Sequence, residues 1–295
     1  MYLLLPLLAA IAFAIGAMVF KRAFTEGANV AHATAVNNAF LGLIFLPLLA
    51  LEPHPIPWHH WYLPVLTAGA FALGHLLNVL SLRTGDVSVA TPLLGSKVIF
   101  VGLLGWGLFG IQLPTGQWLA AAFATTGVVV MGVSDFHLGQ RSTSTIILAL
   151  GCAAAFAVTD LLIQSWGADF GVFSFLPLQF VALGVISFAM LPWLGGLRSL
   201  RAPRRAWPWI FGAAALSAVQ ALLITLAIAK WHDAAGVNVV YATRGLWSVL
   251  FVWGAGHWIQ NRERHTAGTR TMSFRALGAL LIFGAVVLAV RSSLG

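Results

Sequence analysis

Gly85–Gly110 reads GDVSVATPLLGSKVIFVGLLGWGLFG, and apart from Asp86 at its mouth its only charge is Lys97. At about 1.5 Å per residue, a helix starting near Val87 would carry Lys97 roughly 15 Å inside, about the midplane of a bilayer. The pattern returns in the second half as Asp233 followed by AAGVNVVYATRGLWSVLFVWG. Asp86 to Lys97 is eleven residues, and so is Asp233 to Arg244. Ser96 precedes Lys97 as Thr243 precedes Arg244, and Trp106-Gly107 answers Trp253-Gly254, at an offset of 147 in 295 residues. Two cations therefore stand at equivalent depths in two copies of one unit.

The chain around these stretches is 60% hydrophobic and 8% charged. An ordinary soluble domain does not tolerate that balance, so the apolar surface belongs in lipid. The net charge of +8 does not point to nucleic acid, because the basic residues fall in short connections between apolar runs. The single Cys152 excludes a disulfide within one chain. The first apolar run lacks a basic leader and a small-residue cleavage site, so it is expected to be a retained span.

Ten spans are expected, near 2–21, 30–51, 61–82, 87–110, 116–134, 144–166, 170–194, 208–230, 236–257 and 273–291. Further echoes link the halves: Ala12-Phe13-Ala14 with Ala155-Phe156-Ala157, Leu46-Pro47 with Leu191-Pro192, and Gly127-Val-Val-Val with Gly284-Ala-Val-Val. The first repeat then covers 1–140 and the second 141–295. Five spans is an odd number, so the second copy enters from the opposite face. The expected fold is an all-α integral membrane protein, ten transmembrane helices in two inverted five-helix repeats. Such an architecture places a transport site at the repeat interface near mid-membrane. Of the sixteen Lys and Arg, twelve flank the odd-numbered connections, Lys230 and Arg291 lie on the other side, and Lys97 and Arg244 lie inside. That split puts the odd-numbered connections in the cytoplasm and both termini outside.

A cation at a helix centre costs about 2.5–3.5 kcal/mol on insertion scales, so Lys97 and Arg244 require a watery cavity, an anionic partner, or both. Arg offers a planar fork for carboxylate or phosphate, and Lys a point charge. Asp160, well inside span six, is the counter-ion or ion-coupling candidate. Tyr241, one turn before Arg244, and His75 and Asn78, at i, i+3 on span three, are further substrate-binding candidates beside Ser96 and Thr243. His54, His59 and His60 form a Pro-rich interfacial loop without a completing set of ligands, so no metal site is expected there.

Ten spans in inverted halves, with Leu82-Arg-Thr-Gly-Asp-Val-Ser-Val-Ala-Thr-Pro-Leu-Leu at the span three–four junction, resemble the drug/metabolite transporter superfamily, in particular its EamA-like carriers. The resemblance implies alternating access around a central cavity and cytoplasmic termini, the latter against the charge count. Two departures matter. EamA-like chains usually carry proline where Lys97 and Arg244 stand, and often end these spans with Gly-Glu. The basic pair instead looks like that of the superfamily's sugar-phosphate and nucleotide-sugar carriers, where such residues hold phosphate.

The expected function is secondary active transport of a small anionic organic metabolite, a carboxylate or phosphate ester. The alternatives are an exporter of amino acids or other amphipathic metabolites, or a flippase-like handler of an anionic lipid headgroup. No HExxH, GxSxG or clustered carboxylates suggest an enzyme. Without a nucleotide-binding loop in this chain, an ion gradient or exchange is expected to drive transport, with a coupling proton or an exchanged anion as the partner. No cofactor is expected. The partners are the anion and membrane lipid, in a monomer or homodimer of the cell inner (plasma) membrane.

Overall fold

The computed structural model describes residues 4–84, 93–133, 140–255 and 269–294. Asp86, Arg262, Arg264 and most of the Leu82–Leu94 motif lie outside these residues. All regular structure among them is helical. In chain order the α-helices are α1 (Leu4–Thr25), α2 (Asn37–Phe45), α3 (Tyr62–Thr84), α4 (Lys97–Phe109), α5 (Thr115–Val133) and α6 (Gln140–Phe170). They continue with α7 (Val172–Ala189), α8 (Trp207–Trp231), α9 (Ala234–Tyr241), α10 (Arg244–Ala255) and α11 (Thr269–Leu294). Six helical stretches among the described residues are long and apolar enough to cross a membrane, around α1, α2, α3, α6, α7 and α8. Large apolar side chains such as Leu108, Ile147, Leu280 and Phe283 face outward, while small residues fill the helix contacts. That arrangement suits lipid, where close packing rather than water exclusion joins helices.

Span four was expected as one helix through Lys97, and span nine as one helix through Arg244. Both differ in the structure. Lys97 is the first residue of α4 after a 3-10 turn, Leu94–Ser96. Arg244 is the first residue of α10, and the turn Ala242–Thr243 separates α9 from it. Each break carries the same side-chain bond. The Ser96 hydroxyl donates to Leu93 O at 2.8 Å and the Thr243 hydroxyl to Val240 O at 2.7 Å, taking these carbonyls as bonding partners beside the helix ladder. The two breaks touch: a Cβ on Gly95 would lie 3.7 Å from Ala242 Cβ. A π-helical turn, His32–Val36, interrupts span two just before α2.

Helix α1 packs on α8 and α10, α3 on α6 and α7, α2 on α7 and α8, α4 on α6, and α5 on α11. At one end Glu26 pairs with Arg22 and, at 3.2 Å, with Arg205. Asn29 Nδ2 donates to Ser199 O at 2.8 Å, and Lys21 Nζ to Leu82 O at 3.2 Å. These bonds gather the connections after α1, α3 and α7 at a basic end. At the other end Gln117 Nε2 donates to Asp233 at 3.4 Å, and Ala234 N donates to Gln164 Oε1 at 2.9 Å. There, too, Gly171 joins α6 to α7 with φ +96, and an added Cβ would stand 2.7 Å from Glu52 Oε2. Only glycine combines that backbone angle with so close a carboxylate.

Candidate functional site

A cleft of about 560 Å³ lies between α1, α2, α3, α6, α8 and the α9–α10 break. Lys97, Arg244, Asp160, Tyr241, His75 and Asn78, six of the residues singled out from the sequence, line it. Ser96 and Thr243 are not among its lining residues, and their hydroxyls serve the backbone turns described above.

The two cations are treated differently. Lys97, 4% exposed, sits at the start of α4 with Nζ 2.5 Å from Asp160 Oδ2. The same oxygen accepts from Asn238 Nδ2 at 2.5 Å, and Asn238 Nδ2 also donates to Ala234 O at 2.8 Å. Asp160 thus binds α4 and α9 to α6. Asn238 was not singled out from the sequence. The available signal was an amide in an apolar run at i−3 from Tyr241.

Arg244 is 1% exposed. Its guanidinium lies over the Tyr241 ring at 4.3 Å and over the Phe13 ring at 4.9 Å. Two aromatic rings at these distances are a setting that favours guanidinium over ammonium. One terminal nitrogen donates to Leu94 O, and Nε has no hydrogen-bond partner among the described residues. Among those residues, no carboxylate makes an ion pair with Arg244. Trp247 Nε1 and Ser248 Oγ, at i+3 and i+4 on the same helix, are likewise buried and unpartnered there. Counting Lys97 and Asp160 as a neutral pair, the cleft carries one net positive charge at Arg244.

The opposite wall is polar without being charged. His75 Nε2 lies 3.2 Å from Ala33 O in the π turn and 3.3 Å from Asn37 Nδ2. The amide oxygens of Asn37 and Asn78 are buried without a partner among the described residues. Buried amide atoms of this kind are costly unless something bonds to them. Thr159, Ser217, Gln220 and Thr225 add hydroxyls and an amide, and Phe13, Leu41, Phe71, Phe156 and Ile224 are the apolar lining, so the cleft offers a cation, unused amide oxygens and apolar surface together.

Residues 1–133 match the EamA-like transporter family. That similarity covers a little under half of the chain. With the six long apolar helical stretches, it marks a multi-pass membrane protein. Curated relatives match shorter stretches. Over 61 residues the chain is 33% identical to the "Probable 4-amino-4-deoxy-L-arabinose-phosphoundecaprenol flippase subunit ArnE" of Klebsiella pneumoniae (strain 342), covering 21% of this chain and 54% of that protein. The protein of the same description from Salmonella paratyphi B is 32% identical over 57 residues, 19% of this chain and 51% of that one. The chain therefore spans about half the length of the curated relatives it matches. A solved crystal structure with 17% sequence identity aligns with a TM-score of 0.63 over 95% of this chain and 96% of its own. That likeness is one of fold and extends beyond residues 1–133 to nearly the whole chain.

Proposed function

We propose that the chain is a secondary transporter of an amphipathic organic mono-anion, working by alternating access across the inner membrane and catalysing no reaction. The observation that carries this reading is Arg244, a buried guanidinium facing a cleft with no carboxylate paired to it among the described residues and with Nε unbonded. A buried cation of that kind is costly until an anion arrives. Lys97 is already matched by Asp160, so one negative group balances the cleft. The unpaired amides of Asn37 and Asn78 would take hydroxyl or amine groups of the same substrate, and the aromatic lining its apolar part.

Ten spans in two inverted halves, 1–140 and 141–295, complete the proposal. The packing pattern supports it, because a two-fold exchange of the halves maps contacts onto one another. Helix α3 on α6 exchanges with α8 on α1, α4 on α6 with α10 on α1, and α3 on α7 with α8 on α2. The pairs α2–α7 and α5–α11 map onto themselves. Lys97 and Arg244, each opening a helix after a break, exchange places. Helix breaks at the midplane, with positive helix starts facing the cleft, are the devices by which transporters hold anionic groups.

A second reading rests on the relatives, whose description names a flippase subunit for a sugar carried through phosphate on a polyprenol. A phosphodiester is also a mono-anion and would meet the same Arg244. Proteoliposomes separate the two. Exchange of soluble organic anions that is lost in Arg244→Gln supports the carrier. Headgroup translocation of an anionic polyprenyl phosphate without soluble exchange supports the flippase. Neither activity in wild-type protein, or equal activity in Arg244→Gln, would end the proposal.

A further inference from the structure

A second cleft, of about 520 Å³, opens at the end away from the basic loops. Gln112, Gln117, Gln164, His232 and Asp233 give it a polar wall, Ile111, Leu113 and Pro114 line its mouth, and Val101, Leu161 and Ala235 line its inner part. These last three are buried, at 2%, 1% and 6% exposure. Their sequence positions tie them to the central cleft. Val101 is one turn beyond Lys97 on α4, Leu161 adjoins Asp160 on α6, and Ala235 lies three residues before Asn238 on α9. Helix α4 is held close to α6 at this level: a Cβ on Gly105 would come 3.2 Å from Leu161 Cδ2. One partition therefore separates the clefts, with Lys97 and Asp160 on its central side and Val101 and Leu161 on its outer side. In the other direction the central cleft meets no such partition. It shares Phe13, Asn78, Ser217 and Gln220 with a smaller cleft that runs between α1, α3 and α8 toward Phe20 and Leu82.

We propose that the outer cleft is a vestibule of the transport path and that Asp160, held by Lys97 from α4 and Asn238 from α9, is the latch that closes it. All three helices of the partition meet on one carboxylate oxygen, Oδ2. Passage outward requires α4, α6 and α9 to separate there, and it cannot happen while both bonds hold. The vestibule's polar groups are three glutamines, a histidine and Asp233, whose carboxylate also caps α9 by accepting from Gly236 N at 2.8 Å. Among the described residues it holds neither Lys nor Arg, so an anion released from Arg244 meets no competing cation among them. Asp160 and Asn238 are positioning residues in this scheme. They set which side reaches the cleft, and the anion is held elsewhere.

The test reads access and needs no substrate, so it fails or succeeds independently of the anion proposal. In a Cys152→Ser background, Thr159→Cys places a thiol on the central cleft and Gln164→Cys one in the vestibule. Sealed vesicles of both orientations are treated with a membrane-impermeant maleimide. Gln164→Cys should label rapidly from the face carrying residues 110–114, and Thr159→Cys slowly from that face. Adding Asn238→Ala, or the charge-neutral pair Lys97→Gln with Asp160→Asn should Asn238→Ala fail to fold, should speed Thr159→Cys labelling from that face by at least ten-fold. An unchanged rate in the latch variants overturns the latch. A Gln164→Cys thiol closed to that face overturns the vestibule.

Discussion

At the residue scale the two inward cations are a matched set in sequence and an unmatched one in structure. Lys97 is spoken for by Asp160 at 2.5 Å, whereas Arg244 lies against the Tyr241 and Phe13 rings with Nε unbonded among the described residues. Removing Lys97 alone strands a buried carboxylate, which costs about 3–5 kcal/mol where such pairs are broken. Lys97→Gln should therefore melt well below wild type in detergent, and Lys97→Gln with Asp160→Asn should recover most of the loss. A double variant as unstable as the single one would show that the pair is not what holds these helices. Arg244→Gln strands no acid among the described residues and should melt near wild type. That Lys97, Arg244 and Asp160 lie inside the protein was legible because charge in an apolar run is conspicuous, and the structure brings all three to one cleft. Which cation Asp160 would choose was not legible, since that depends on how α4, α6 and α9 pack. Asn238 went unweighed because one amide in a span more often bridges helices than forms a site.

At the element scale, close approach is set by glycines whose missing Cβ a neighbour occupies. An added Cβ at Gly127 on α5 would lie 2.6 Å from the Gly278 carbonyl oxygen of α11, and one at Gly74 on α3 would lie 2.8 Å from the Phe156 ring of α6. Overpacking of this kind costs roughly 1–3 kcal/mol. Gly127→Ala, which meets backbone that cannot turn aside, should lower the melting temperature more than Gly74→Ala, which meets a side chain. Gly69→Ala, with nothing within 4 Å, should leave it unchanged; equal effects at all three would contradict the packing described. Helix positions were readable from hydropathy, as the stretches around α1, α2, α3, α6, α7 and α8 illustrate. The breaks before Lys97 and Arg244 were not, because Ser96 and Thr243 look like ordinary helix residues: Ser81 bonds its i−3 carbonyl in the same way inside unbroken α3.

At the scale of the whole molecule, the bonds among Arg22, Glu26 and Arg205 and between Asn29 and Ser199 mark one end. Those of Gln117, Asp233 and Gln164 mark the other. In the Cys152→Ser background, cysteines at Ser199 and His59 should label from opposite faces, with Ser199 cytoplasmic; labelling of both from one face would sink the arrangement of spans. The orientation rests on basic residues in the connections, which sequence displays directly. The cleft's single net charge rests on pairing, which only the fold reveals. That charge is the centre of the account, and ligand-induced thermal stabilisation of the purified protein tests it most directly. Organic mono-anions, phosphate esters, amino acids and neutral or cationic analogues would be compared on wild type and Arg244→Gln. The account predicts that an anion class raises the melting temperature of wild type by several degrees and leaves Arg244→Gln unmoved. Stabilisation by anions that persists in Arg244→Gln, or stabilisation confined to neutral or cationic compounds, would contradict it.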